Sequence, residues 1–249
     1  VATKTYIDDV FSTFLYTGNS TARSINTGLD MTEGGLVWIK NRDQSYNHSL
    51  QDTVRGAGKD KRLASNLSSA QDGTDLDNYW AGYISSFNNN GFSVDKEGSG
   101  AIDWANFNKS GEDYVSWNFR EQKGFFSVKT YTGNGSGSAR TLNHNLDAIP
   151  GFIALKKTSG SSAWVLYHRD LGTNEYIGFT ALAKGSASAN GSINSADASQ
   201  FTVGVDHNDN NETYIAYLFA GGESTAATAR SIAFDASGDY LNTTTSSSD

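Results

Sequence analysis

The chain has 249 residues, with 26 Gly, one Pro and no Cys, and carries a formal charge of −8 at pH 7. Without cysteine, disulfides and zinc–thiolate sites are excluded, so stability must come from packing and backbone ladders. The acidic balance argues against sequence-independent nucleic-acid binding, which needs clustered Lys and Arg. The longest apolar runs are strand-sized, short of the roughly 18 to 20 residues that cross a bilayer, so no membrane insertion is expected.

Residue 1 is Val and nothing resembles a signal peptide, so the chain is expected to be part of a longer or processed product. Residues 1–15, with Tyr6, Ile7, Val10 and Phe11, form too short a segment to fold alone and are expected to dock as an arm or helical turn. The first strong pattern opens at Tyr16-Thr17-Gly18-Asn19 and continues through Arg23, Ile25, Asn26, Leu29 and Asp30. An apolar strand candidate follows, Gly35-Leu36-Val37-Trp38-Ile39-Lys40, and then Leu50 to Gly56. A segment from Lys59 to Asn90 reads as an insertion. It holds Asp72, Asp75, Asp77, Tyr79, Trp80 and Tyr83, and loops of that length are usually functional or interfacial. Two strands close the unit, Gly91-Phe92-Ser93-Val94 and Tyr114 to Phe119.

The whole order then recurs. Tyr131-Thr132-Gly133-Asn134, Arg140, Leu142, Asn143, Leu146 and Asp147 repeat the opening, followed by Gly151 to Lys156, Leu166 to Gly172, Gln200 to Val203 and Tyr214 to Phe219. The sequence therefore predicts an all-β chain of two tandem, divergent, antiparallel β-sandwich-like domains, at 16–124 and 125–223. Residues 224–249 read as a linker and the start of a third β segment. Tyr214 to Phe219 is apolar on both faces and should be a central strand. Tyr114 to Phe119 reads as half-buried, with Val115, Trp117 and Phe119 inward and Tyr114, Ser116 and Asn118 on the wetter face. Lys109 to Asp113 and Asp206 to Glu212 read as hairpin connections, and Gly133 to Gly137 as a flexible hairpin loop. Thr180 to Lys184 has helical character that Gly185 stops.

Chemistry-bearing patterns are sparse. There is no Gly-x-Ser-x-Gly, the four His are scattered, and His168, the most suggestive of them, has no equivalent base in the first copy. Asp206 to Glu212 and Asp72 to Asp77 offer oxygen ligands, but neither has EF-hand spacing and turn formation explains both. No catalytic, metal or cofactor site is expected, and the protein reads as a non-enzyme. Aromatic residues are the better binding candidates. Trp38 and Trp117 lie within strand patterns and read as core, whereas Tyr79, Trp80, Tyr83 and Trp104 read as a surface binding or interface set.

The ordered motifs Gly35 to Arg42, Asp52-Thr53-Val54-Arg55-Gly56-Ala57 and Tyr114 to Arg120, with the two Tyr-Thr-Gly-Asn openings, resemble a family of virion proteins of marine tailed phages, including cyanophages. The resemblance implies a tail, fibre or particle-decoration protein on the extracellular particle surface. Its partners would be other copies of itself, other virion proteins and a host-surface glycan. Arg230 to Leu241 resembles the first strand of a laminin-G or concanavalin A-like domain, whose relatives bind glycans. The competing expectation is a secreted or cell-surface carbohydrate-binding module stacking sugars on Trp80 and Trp104.

Overall fold

The computed structural model describes residues 5–71, 82–95, 107–171, 175–179, 185–186, 191 and 193–222. The chain is all-β, two antiparallel sandwiches in tandem. In the first, β1 (Phe11–Thr17), β7 (Asp113–Arg120), β3 (Gly35–Asn41) and β4 (Ser49–Asp52) form a four-stranded sheet in the order β1-β7-β3-β4. It faces a sheet of β2 (Arg23–Asn26), β6 (Gly91–Asp95) and β5 (Tyr83–Asn88) in the order β2-β6-β5. The second sandwich repeats this plan. Its four-stranded sheet runs β8 (Phe126–Thr132), β16 (Thr213–Ala220), β10 (Pro150–Lys157) and β11 (Val165–His168), and its three-stranded sheet runs β9 (Arg140–Asn143), β15 (Gln200–Val203) and β14 (Ile193–Ala196). A short pair, β12 (Glu175–Tyr176) and β13 (Gly185–Ser186), lies beside β11.

Each sandwich closes on its own core. Phe14, Tyr16, Val37, Ile39 and Tyr114 from the four-stranded sheet meet Ile25, Ile84, Phe92 and Val94 from the three-stranded one. In the second repeat Tyr131, Ile153, Leu155, Tyr214, Ala216 and Leu218 meet Leu142, Ile193, Phe201 and Val203. As expected from its two apolar faces, β16 is central. The last residues assigned to the arm belong instead to a strand, since Phe11 to Leu15 pair in register with Val115 to Phe119.

The orientation of β7 is opposite to the expectation. Tyr114, Ser116 and Asn118 are fully buried in the sandwich, while Trp117 and Phe119 are half-buried on the outer face. The Asn118 amide nitrogen and the Ser116 and Tyr114 hydroxyls are bonded, which offsets their burial, while Asn118 Oδ1 has no partner among the described residues. Asn118 Nδ2 donates to Ser12 O at 3.1 Å and to Ser116 Oγ at 3.1 Å, and Asn41 Nδ2 donates to Tyr114 Oη at 3.2 Å. Trp38 likewise lies half-buried on the outer face, its ring edge-on to Trp117 at 5.9 Å, rather than in the sandwich core.

The repeated motif builds a corner, not a hairpin. In each copy the Tyr-Thr-Gly-Asn turn leaves a four-stranded sheet for the three-stranded one, and the later loop crosses back between the same sheets. The two loops clasp each other. Gly18 N donates to Glu112 O and Gly133 N to Glu212 O, both at 2.8 Å. Ser20 N donates to Asn108 O and Gly135 N to Asn208 O, again at 2.8 Å. Asn19 N donates to Asn108 Oδ1 at 3.1 Å and Asn134 N to Asn208 Oδ1 at 3.0 Å, while each buried Asn Nδ2 returns a bond to the Oδ1 of Asn19 or Asn134.

Glycine is required at 18 and 133 because a Cβ there would stand 2.0 Å from Lys109 O or Asp209 O. Tyr16 and Tyr131 cap the corner from inside, donating to Phe107 O and His207 O and stacking on Tyr114 and Tyr214 at 5.1 and 4.9 Å. Arg23 and Arg140 close it from outside, each over the Tyr ring and bonded to the carbonyl of Thr17 or Thr132. The loops expected to be hairpins, one of them flexible, are therefore inter-sheet corners held by side-chain and backbone bonds.

Candidate functional site

With both sandwich cores closed, the four-stranded sheets still carry an apolar outer face each, and these faces meet. Leu36, Trp38, Leu50 and Phe119 from the first repeat pack on Phe126, Val128, Phe152, Ala154, Ile215, Tyr217 and Phe219 from the second. Equivalent residues Phe119 and Phe219 lie edge to face at 5.2 Å. Burying a face of this kind is worth about 25 cal/mol per Å² of apolar surface, so the seam adds hydrophobic stabilisation between the repeats.

A polar group locks the seam. Asp52, fully buried at the end of β4, accepts from Tyr217 Oη at 2.8 Å and from the Arg55 guanidinium at 2.6 Å. Arg55 also reaches Gln71 Oε1 and Tyr217 Oη, each at 3.2 Å. Burial pushes the Tyr217 hydroxyl well above its usual range, so it stays a proton donor to the carboxylate.

Residues 63–71, within the described beginning (59–71) of the segment expected as an insertion, cross to the second repeat. Ala64 O accepts from Trp164 Nε1 at 2.8 Å, Ser68 O accepts from Ser162 N at 2.7 Å and Lys156 Nζ at 3.0 Å, and Gln71 N donates to Thr158 O at 2.9 Å. Lys156 is 1% exposed, with only carbonyl partners for its ammonium among the described residues, and burial pulls it down to about 8.

A cleft of about 270 Å³ opens along the seam between Leu36, Trp38, Phe152, Phe179, Tyr217 and Phe219. At its rim Trp38 Nε1 donates to His48 Nδ1 at 2.8 Å. Burial and the Lys40 charge lower the affinity of His48 for a proton, which keeps that nitrogen an acceptor. A second, more polar groove of about 430 Å³ includes Arg55, Lys61, Gln71, Thr130, Thr158 and Thr213.

Of the expected surface set, Tyr79, Trp80 and Trp104 lie outside the described residues, as do Asp72 to Asp77, Thr180 to Lys184 and Arg230 to Leu241. Tyr83 is half-buried and opens β5 opposite Asp95, in the first three-stranded sheet and away from the seam. The other end of the expected insertion is thus a strand of the sandwich. His168 is exposed and faces Asp170 at 3.6 Å. In the loop from Asp206 to Glu212, Asp209 and Glu212 both pair with Lys157 at 3.3 Å. Among the described residues no three His, Asp or Glu side chains gather as a metal site would require. Sequence reasoning missed the seam network, because Asp52 and Tyr217 are 165 residues apart. Its only local signal is a carboxylate and an Arg three residues apart beside apolar strands.

No curated protein and no solved structure matches the chain. A family model spans both sandwiches, matching residues 7–228, and the chain belongs to that family, described as a domain of unknown function, DUF7483.

Proposed function

We propose that this protein is a non-enzymatic structural component of a phage particle, a tail, fibre or decoration protein that assembles with copies of itself and with other virion proteins at the particle surface. The observation that carries the reading is where the distinctive residues are used. The motif shared by both repeats clasps each sandwich at its corner, and the charged and aromatic residues of the seam bind one sandwich to the other. Such a chain is a rigid double block, suited to transmitting load and presenting edges. The sequence resemblance to virion proteins supplies the setting.

The carbohydrate-binding alternative is weaker at the described cleft. Sugar recognition combines a ring face with polar groups for the hydroxyls, and this cleft is formed by Leu, Trp, Phe, Ala and Tyr side chains, with the Tyr217 hydroxyl already engaged by Asp52. Host-surface attachment would then fall to residues outside the described set, Trp80 and Trp104 among them.

Antibody raised against the purified chain should label particles banded from lysates of the host that carries the gene, and peptides of the chain should be recovered from those particles at many copies each. A chain that remains in the soluble fraction away from particles would refute the virion reading. Strong, saturable binding to a glycan array would transfer support to the binding module.

A further inference from the structure

β1 and β8 hold the same place, the edge of a four-stranded sheet beside β7 or β16. Val10 O accepts from Arg120 N and Gly18 N donates to Glu112 O at the two ends of β1. Alternation then directs the backbone groups of Phe11, Thr13, Leu15 and Thr17 outward. The same construction directs Phe126, Val128, Thr130 and Thr132 outward from β8.

The two edges are finished differently. In β8, Phe126 exchanges both backbone bonds with Gln122, and Val128 N is capped by Glu121 Oε1 at 2.6 Å. In β1 the carbonyl of Thr17 is taken by Arg23. Among the described residues, the N–H and C=O of Phe11, Thr13 and Leu15 have no partner.

Edges are normally protected by Lys, Pro, a bulge or a covering segment. Phe11-Ser12-Thr13-Phe14-Leu15-Tyr16-Thr17 has no charge and no Pro, and it pairs with β7 without a register break. Where β8 carries Thr130, β1 carries Leu15, 58% exposed. Tyr6 and Ile7, 64% and 63% exposed, continue the same border.

We infer that the free edge of β1 is a pairing surface for β1 of a second copy, antiparallel and two-fold, joining two four-stranded sheets into one continuous sheet. Centred on Phe14, the pairing sets Phe11 opposite Thr17 and Thr13 opposite Leu15 of the other copy. Charge favours this occupant. Asp8 and Asp9 precede the strand, with Arg120 bonded to Asp9 O, and Arg23 stands at its far end on Thr17 O beside Asp113, so an antiparallel copy brings each acidic end's net negative charge to the other's guanidinium. A parallel neighbour would align like with like.

The inference rests on the assembly reading above, and its test separates the two. Sedimentation of the full chain across a concentration series, with amide exchange followed at residues 11–17, should give a dimer whose Thr13 and Leu15 amides lose protection on dilution. Thr13→Lys with Leu15→Lys should halve the mass and leave the melting temperature within a few degrees of the parent. A trimer would overturn the inference, because a two-fold edge closes at two copies, while keeping the assembly reading. A dimer unchanged in the double variant would do the same. A monomer at every concentration would overturn the inference and remove self-assembly from the proposed function as well.

Discussion

Replacing Asp52 with Ala tests whether the seam network holds the repeats together. The carboxylate is fully buried and its partner Arg55 is 6% exposed, so the variant leaves a guanidinium in the interface with only Gln71 Oε1 and Tyr217 Oη, among the described residues, within bonding distance. Removing one member of a buried pair costs about 3 to 5 kcal/mol, most of it from the charge left uncompensated. With a urea slope of about 2 to 3 kcal/mol per M, the unfolding midpoint should fall by about 1 to 2.5 M without a change in slope. The control is Asp52→Leu with Arg55→Met, which removes both charges and should recover most of the loss. Equilibrium denaturation followed by tryptophan fluorescence and far-UV circular dichroism measures both. A loss below about 1 kcal/mol for Asp52→Ala, or a double variant as weak as the single, would refute the uncompensated-charge account.

Gly18→Ala and Gly133→Ala should each lower stability by about 1 to 3 kcal/mol, since the corner must open to admit the methyl group. Gly160→Ala, whose nearest neighbour is the flexible end of Lys157, should stay near the parent in the same thermal melts. Lys156 titrates near 8 in the folded chain against 10.5 for an ordinary lysine, so the unfolded chain binds more protons between those values and stability should rise with pH across that window. The displacement is worth about 3 kcal/mol at most. Lys156→Met should therefore be more stable at pH 7 and lack that rise, and denaturant midpoints from pH 7 to 10 would show it. His48 binds a proton less readily when folded, so acidification below pH 6.5 should weaken the fold as its acceptor nitrogen is protonated. His48→Gln should flatten that part of the profile, with Trp38 fluorescence reporting the rim.

How far the fold could be read from sequence depended on what each strand face meets. The two-faced apolar pattern of Tyr214 to Phe219 needed two buried faces and identified β16 as central. Tyr114 to Phe119 was misread because its polar residues are the ones inside the sandwich, bonded to Ser12 and Asn41, while Trp117 and Phe119 face outward at the seam side. Amphipathic alternation ranks two faces by polarity, and here both are covered. β1 escaped notice because Ser12 and Thr13, on opposite faces, each interrupt an apolar series. The Tyr-Thr-Gly-Asn motif was visible as a repeat, but its role depends on Asn108 and Asn208, distant partners that periodicity does not reveal.

The seam also shapes the order of events during synthesis. The first sandwich has all its described strands once Arg120 has emerged, yet the outer face of Leu36, Trp38, Leu50 and Phe119 lacks its facing sheet until the strands of the second, ending at Ala220, are made. At a translation rate of about 5 to 20 residues per second this interval lasts about 5 to 20 s. Throughout it the nascent chain displays an aromatic sheet face to solvent, and neighbouring ribosomes on the same message display the same face. The polar strap from Ala64 to Gln71 cannot shield it, since its anchors at Trp164, Ser162 and Thr158 belong to the part still being translated. Yield in a recombinant host should therefore respond to translation speed and chaperone supply more steeply than the stability of the finished protein suggests.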